Sequence, residues 1–497
     1  MLATARTFSL LGVEAIRVDA EVDIHRGLPS FSLVGLPDTA VRESRERVRA
    51  AIVNSGFDFP QQRITVNLAP ADLRKAGPGF DLAIAAAVLA ASAQVKPEAL
   101  DKWSLAGELA LDGGVRAVQG ALAMAERASA DGLAGIAVPA ANALEAALID
   151  GLVVAPIRSL ADLDRLLRDG ELPEPEATPP AAQPRLLPDL ADLRGQPSLR
   201  RALEVAAAGA HSLLITGPPG AGKSLAARRL PSILPEPCSA EAIEITRIAG
   251  AAGNGHRGHG LAPRPFRSPH HSISPAGLVG GGNPPRPGEI TLAHGGVLFL
   301  DEVPEFSRAS LEALRQPLED GSVTITRARH SITFPTAFQL VAAANPCPCG
   351  HGEDSEACDC SPVQLKAYAN RISGALSDRL DLIIAVAQPP AEALAGDPGV
   401  SSATVRTEVA EARARAGRRL GPGRANASMS GDEARTHAKL TTAAADHLSK
   451  AHARYGLSGR GWDRVLKVAR TCADLAAAER VDVAHVGEAL TGRTRSR

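Results

Sequence analysis

The stretch "LLITGPPGAGKSLAARRL" at 213–230 restricts what this chain can fold into more than any other. An apolar strand, a glycine loop, a Lys-Ser pair and a helix-forming run follow one another in the order a phosphate cradle needs. Gly217, Gly220 and Gly222 let backbone N–H groups turn inward, and Pro218, Pro219 and Ala221 complete the loop. The helix that follows presents the positive end of its dipole to bound phosphate. Lys223 is placed to reach the β- and γ-phosphates, and the Ser224 hydroxyl suits Mg²⁺.

Three further stretches fit the same site. In "GGVLFLDEVPEF" (295–306), Val297 to Leu300 predict a buried strand that ends in Asp301 and Glu302. Carboxylates at the end of a parallel strand sit where such sheets bind ligands, so Asp301 suits Mg²⁺ and Glu302 the orientation of an attacking water. Alone, the pair fits a capped strand end equally well; beside the glycine loop it reads as the second half of a nucleotide site. "FQLVAAAN" ends at Asn345, whose amide can align that water or sense the γ-phosphate. Arg379 in "LSDRLDL" and Arg460 in "YGLSGRGWDRVLKVAR" are candidates to stabilise the charge of phosphoryl transfer, in cis or from a neighbouring subunit. Taken singly, each also fits a surface arginine.

At 497 residues the chain exceeds what one core usually supports. "ELPEPEATPPAAQPRLLPDL" (171–190) holds six prolines in twenty residues, which favours extended, solvated backbone and hence a linker. A weaker break at 388–400 opens the last piece. The expected organisation is 1–170, a linker at 171–190, an α/β piece at 191–387, and a helical piece at 388–497. Residues 1–170 mix β-rich runs ("FSLVGLP", "RITVNLAP") with Ala-rich helical runs, whereas 191–387 alternates strands and helices as a parallel sheet does. No apolar run reaches the roughly eighteen residues of a membrane span, and the N-terminus alternates too early for a signal peptide. A cytoplasmic protein is therefore expected.

The net charge of −1 gives no global sign of a polyanion partner. Residues 401–497 carry eighteen Lys plus Arg against ten Asp plus Glu, which suits a polyanion, an anionic nucleotide site or solvated helix faces. Two segments fit DNA contact. "GSVTITRARHSITFP" (321–335) reads as a hairpin with Arg327, Arg329 and His330 at its tip. "GNGHRGHGLAPRPFRSPHHSIS" (253–274) reads as a loop offering Arg257, Arg264, Arg267, His270 and His271 to phosphates without reading bases. For each, a surface loop or subunit contact is the plain alternative. "NPCPCGHGEDSEACDC" (345–360) places Cys347, Cys349, Cys358 and Cys360 in two Cys-x-Cys pairs. Four thiolates predict a structural zinc site that pins the strand end at Asn345; a redox pair or unligated cysteines are the alternatives.

Taken together, "LRGQPSLRRALEVAAAGAHSLLITGPPGAGKS", "FRSPHHSISPAGLVGGGNPPRPGEITLAHGGVLFLDEVPEF" and "NPCPCG" resemble the magnesium-chelatase-like ComM/YifB family of AAA+ ATPases. "GLPSFSLVGLPDTAVRESRERVRAAIVNSG" and "RITVNLAPADLRKAGPGFDLAIA" are similar to that family's first domain. The resemblance implies an α/β protein in three parts: a Lon-protease-like α+β domain, an AAA+ P-loop domain with a parallel sheet, and a helical lid. It implies ATP and Mg²⁺, a homohexameric ring, and single-stranded or branched DNA as partner, moved by a helicase that drives branch migration in natural transformation. Arg379 would complete the neighbour's site and Arg460 would be the lid sensor. Where Lon-type proteases carry their serine, "KAGPGFDLA" has Gly79, and "GGVRAVQGALAMAERA" lacks the lysine base, so no proteolysis is expected. The competing reading is a remodelling chaperone that acts on a protein partner.

Overall fold

Apolar and polar residues alternate through the first 25 positions, and the alternation becomes two long strands, β1 (Leu2–Leu11) and β2 (Glu14–His25). They pair antiparallel from Leu2↔Asp23 to Leu11↔Glu14 and bury Val18, Ala20 and Val22 completely. The computed structural model describes residues 1–174, 187–253, 261–282, 285–327, 330–352, 355–373, 376 and 379–492. Its first compact unit comprises Met1–Pro184, Ala242–Ala262 and Asn283–Arg286.

The unit is built on a seven-stranded mixed sheet. After β3 (Ser30–Val34) come α1 (Thr39–Asn54), β4 (Arg63–Ala69), α2 (Asp81–Ala91), β5 (Trp103–Leu105), β6 (Gly135–Pro139), β7 (Val153–Ile157) and α3 (Leu160–Asp169). The strand order is β3-β4-β2-β1-β5-β6-β7. The sequence of α2, "DLAIAAAVLAA", is apolar all round, and every one of its residues is buried, because it packs against β1, β2 and α1 together. Its one charge, Asp81, is bonded by Arg47 of α1 at 2.6 and 3.0 Å. Burial pushes the Asp81 carboxyl up, and the guanidinium opposes that shift. The unit also takes up chain from beyond the Pro-rich stretch. Arg247 meets Glu126 at 3.5 Å, and the Gly120 N–H donates to the Gly250 carbonyl at 3.1 Å.

The second unit comprises Arg185–Glu241, Pro263–Gly282 and Pro287–Arg497, so the sheet and the C-terminal helices share one body. In chain order it contains α4 (Pro197–Gly209), β8 (Leu213–Thr216), α5 (Lys223–Ile233), β9 (Phe266–Arg267), β10 (Val297–Leu300), β11 (Ser322–Arg327), β12 (His330–Pro335), β13 (Gln339–Ala344), α6 (Pro362–Ser373) and β14 (Leu382–Ala385). Five of these strands form a sheet in the order β9-β10-β13-β8-β14, every neighbouring pair parallel. β10 and β13 are buried along their whole length, which is why they read as unbroken apolar runs. Gln339, the polar exception, donates to the carbonyls of Ala206 and His211 at 2.9 and 3.0 Å. β11 and β12 form a separate antiparallel hairpin that sets Arg327 opposite His330.

The C-terminal helices are α7 (Ser402–Leu420), α8 (Gly431–Ala438), α9 (Thr442–Tyr455), α10 (Gly459–Leu475) and α11 (Val483–Thr491). Each is started by a side-chain cap, from Ser401, Ser430, Thr441, Ser458 and Asp482 in turn. His211, fully buried below the sheet, joins the two layers: it contacts Asp381 at 3.1 Å and Thr471 of α10 at 2.7 Å. Among the described residues no helix is long and apolar enough to cross a membrane.

Candidate nucleotide site

The phosphate loop leaves the carboxyl end of β8 and enters α5 at Lys223. Its glycines are required by geometry. A Cβ at Gly217 would lie 2.3 Å from the Val386 carbonyl oxygen, and Gly220 and Gly222 have φ of +80° and +85°. The Lys223 ammonium donates to the carbonyls of Gly217 (2.5 Å) and Pro218 (2.9 Å) and to Asn345 Oδ1 (3.0 Å). Burial pushes its pKa down, against the pull of Asp301 and Glu302. Ser224 Oγ donates to Asp301 Oδ2 at 2.6 Å. A hydroxyl and a carboxylate so placed are oxygen donors that fit a hard cation such as Mg²⁺. Lys223, Ser224, Asp301 and Asn345, which come from three parallel strand ends, are thus brought together.

Glu302 follows in a left-handed conformation (φ 51°, ψ 49°), and its N–H donates to Asp301 Oδ1 at 3.1 Å. Its carboxylate lies 3.8 Å from His271 Nδ1. His271 lies against His270 with ring centroids 4.1 Å apart and the rings tilted by 36°. Both histidines belong to the segment expected to face DNA; His271 is instead a neighbour of Glu302. Two glutamines went unnoticed. Gln196 Nε2 donates to the carbonyls of Ala221 (3.1 Å) and Ala387 (2.6 Å), and Gln388 Nε2 donates to that of Pro219 (2.8 Å). They tie the loop to the segment after β14, and the only signal for the first was a Gln just before the Pro that starts α4.

Arg379 and Arg460 lie elsewhere. Arg379 Nη2 is 2.7 Å and Arg460 Nη1 3.8 Å from the same Glu319 Oε1. Both line a cavity of about 1000 Å³ together with Ser212, Gly296, Phe338 and Asp381. Those four residues precede the strands, so the cavity is at the amino ends of the sheet and the phosphate loop at the carboxyl ends. Arg379 is 14% exposed and Arg460 69%, so the second is by far the more open to solvent.

Of the residues assigned to DNA, Arg327 and His330 are the last described positions of the two hairpin strands; Arg329 and Arg257 lie outside the described residues. The reading of 253–274 as a loop of uncommitted arginines needs correction at two positions. Arg264 donates to the carbonyls of Pro235 and Gly295, both at 2.7 Å, and pairs with Glu241 at 2.9 Å. Arg267 is held by both oxygens of Glu289 at 2.7 Å. Both guanidiniums are engaged in internal hydrogen bonds, which a spacing argument has no means of detecting.

The sulfurs of Cys347, Cys349, Cys358 and Cys360 all lie within 4.8 Å of one another. Cys347 Sγ is 3.2 Å from Cys349 Sγ and 3.8 Å from Cys358 Sγ, and the last two are 3.6 Å apart. In the first unit, Gly79 lies in the short turn Pro78–Phe80.

Three family models together span most of the chain. The model described as magnesium chelatase, subunit ChlI, matches residues 189–394; subunit ChlI of Mg-chelatase matches 20–142; and the subunit ChlI C-terminal model matches 399–493. The class is therefore magnesium-chelatase-like. An uncharacterized protein YifB of Salmonella typhimurium is 44% identical over 99% of this chain and 97% of its own length. Competence protein ComM of Haemophilus influenzae is 43% identical over 98% of this chain and 97% of its own. Lon protease 2 of Bacillus subtilis is 34% identical over 28% of this chain and 27% of the protease. The chain belongs to the ComM/YifB family of magnesium-chelatase-like proteins.

Proposed function

We propose that this protein is a ring-forming AAA+ ATPase of the cytoplasm that uses ATP and Mg²⁺ to move along single-stranded or branched DNA without regard to sequence. The observation that carries the reading is the junction of Lys223, Ser224, Asp301 and Asn345 at the carboxyl ends of a parallel sheet. Lys223 and the loop N–H groups bind the phosphates, and Glu302 orients the attacking water. Mg²⁺ held by Ser224 and Asp301 supplies charge neutralisation on the phosphate oxygens. Arg379 and Arg460, remote from Lys223 of their own chain, serve the site of the next subunit in a hexamer. The Haemophilus relative bears the name of a competence protein, which supports a task in natural transformation; branch migration of recombining DNA is the form of it we propose. On the same reading the four clustered thiols hold one structural zinc ion.

The decisive experiment compares extension of a DNA joint with ATP and with a non-hydrolysable analogue, alongside ATPase rates with and without forked DNA. ATP-dependent extension and DNA-stimulated turnover are expected. Stimulation by a polypeptide and not by DNA would replace this reading with the remodelling chaperone.

A further inference from the structure

The turn that carries the first two cysteines is seated on the phosphate loop. Gly350 has φ +89°, its N–H donates to the Cys347 carbonyl at 3.0 Å, and a Cβ there would stand 3.0 Å from Cδ and Cγ of Pro219. On the other side of the cluster, the chain runs from Cys360 into α6, whose buried Tyr368 has the Asn345 backbone and Cys347 among its neighbours. Asn345 itself stands two residues before Cys347 and accepts from Lys223. The cluster thus joins three pieces of the nucleotide site: the loop, the sensor strand and the helix that backs it.

Short-range turns and the sulfurs order this junction. Among the described residues between β13 and α6 there is no helix or strand, and of the four cysteines only Cys347 is buried. Three of the sulfur separations are 3.2 to 3.8 Å and all four sulfurs lie within 4.8 Å of one another, which brackets the edge, about 3.8 Å, of a tetrahedron with Zn–S bonds of about 2.3 Å. The Gly352 N–H donates to Cys347 Sγ at 3.2 Å, an arrangement that stabilises a thiolate.

We propose that zinc in this site sets the position of Pro219 and Asn345, so that metal occupancy and nucleotide affinity are thermodynamically coupled. This rests on the zinc reading given above. A metal that closes the loop removes conformational freedom from one end that bonds Lys223, at Asn345, and from the Gly350 turn that rests on Pro219. Coupling is reciprocal: if zinc tightens nucleotide binding, nucleotide tightens zinc by the same factor.

The full chain, purified without chelator, should contain one zinc per protein. Cobalt exchanged into it should show the visible bands of a tetrahedral thiolate centre. Competition with a zinc-selective chromophoric chelator, run with and without a non-hydrolysable ATP analogue, should show zinc held about tenfold tighter when nucleotide is bound. Lys223→Ala protein should show no such shift. Gly350→Ala keeps all four sulfurs but drives a methyl group against Pro219; it should retain zinc and bind nucleotide more weakly, whereas Glu356→Ala in the same loop should do neither. Protein without metal would overturn the zinc reading and this inference with it. Bound zinc whose affinity ignores nucleotide, with Gly350→Ala binding ATP as wild type does, would overturn the coupling alone.

Discussion

The two ends of the five-stranded sheet do different chemistry with different kinds of residue. At the carboxyl ends, one lysine bonds two loop carbonyls and an asparagine amide oxygen, and beside it a serine hydroxyl bonds one carboxylate. At the amino ends, two arginines from separate elements share a single glutamate beside a wide cavity. The first end is a finished cradle whose parts satisfy one another. The second gathers two guanidiniums on Glu319 in a cavity that other charged side chains, Asp381 and Arg464 among them, also line.

That contrast is easiest to break at Lys223. Lys223→Ala should abolish ATP binding, whereas Glu302→Gln should bind ATP normally and turn it over up to about 10⁴-fold more slowly. Equal loss of affinity in both variants would mean that cradle and water-orienting roles are misassigned. Arg379→Ala should lower turnover by about 10³ while leaving affinity intact. Mixing it with Glu302→Gln protein should recover part of the activity, since some interfaces then pair two intact halves. Wild-type turnover by Arg379→Ala alone would make the two ends functionally alike.

A smaller effect is expected where the cradle is tied to its own fold. Gln196→Ala leaves the carbonyls of Ala221 and Ala387 without a donor, at a cost of about 1–3 kcal/mol. A lower Tm and weaker nucleotide binding should result, with DNA binding unaffected; an unchanged Tm would remove the glutamine from the scheme. The mildest change is expected at the hairpin tip. Replacing Arg327 and Arg329 by Ala should leave basal ATPase intact, reduce its stimulation by DNA, and flatten the log–log salt dependence by about 0.7 per lost phosphate contact on single strands. Unchanged stimulation would move the DNA contact away from β11 and β12.

The cradle was legible in advance because its requirements are local. A glycine loop between strand and helix has one conformation compatible with phosphates, and the residues that build it are consecutive. Asp301 and Asn345 were equally readable, each placed by an unbroken apolar run that could only be a buried strand. The buried helix α2 and the capped C-terminal helices follow from the same short-range rules. The histidine beside Glu302, the glutamines behind the loop and the seating of Gly350 on Pro219 join residues far apart in the chain, and no spacing announces them.

The arginines divide along the same line. That Arg264, Arg267, Arg379 and Arg460 are cations is a matter of composition; what each cation does depends on the carboxylate that folding brings to it. Glu241 and Glu289 engage the first two inside the unit, and Glu319 gathers the last two at one end of the sheet. Residue type and local spacing set the glycine loop and the strand ends beside it from the chain alone, because backbone geometry acts over a few residues. The partners of its charges were settled only by the packed fold, because a charge responds to whatever lies within a few ångströms, however distant in sequence.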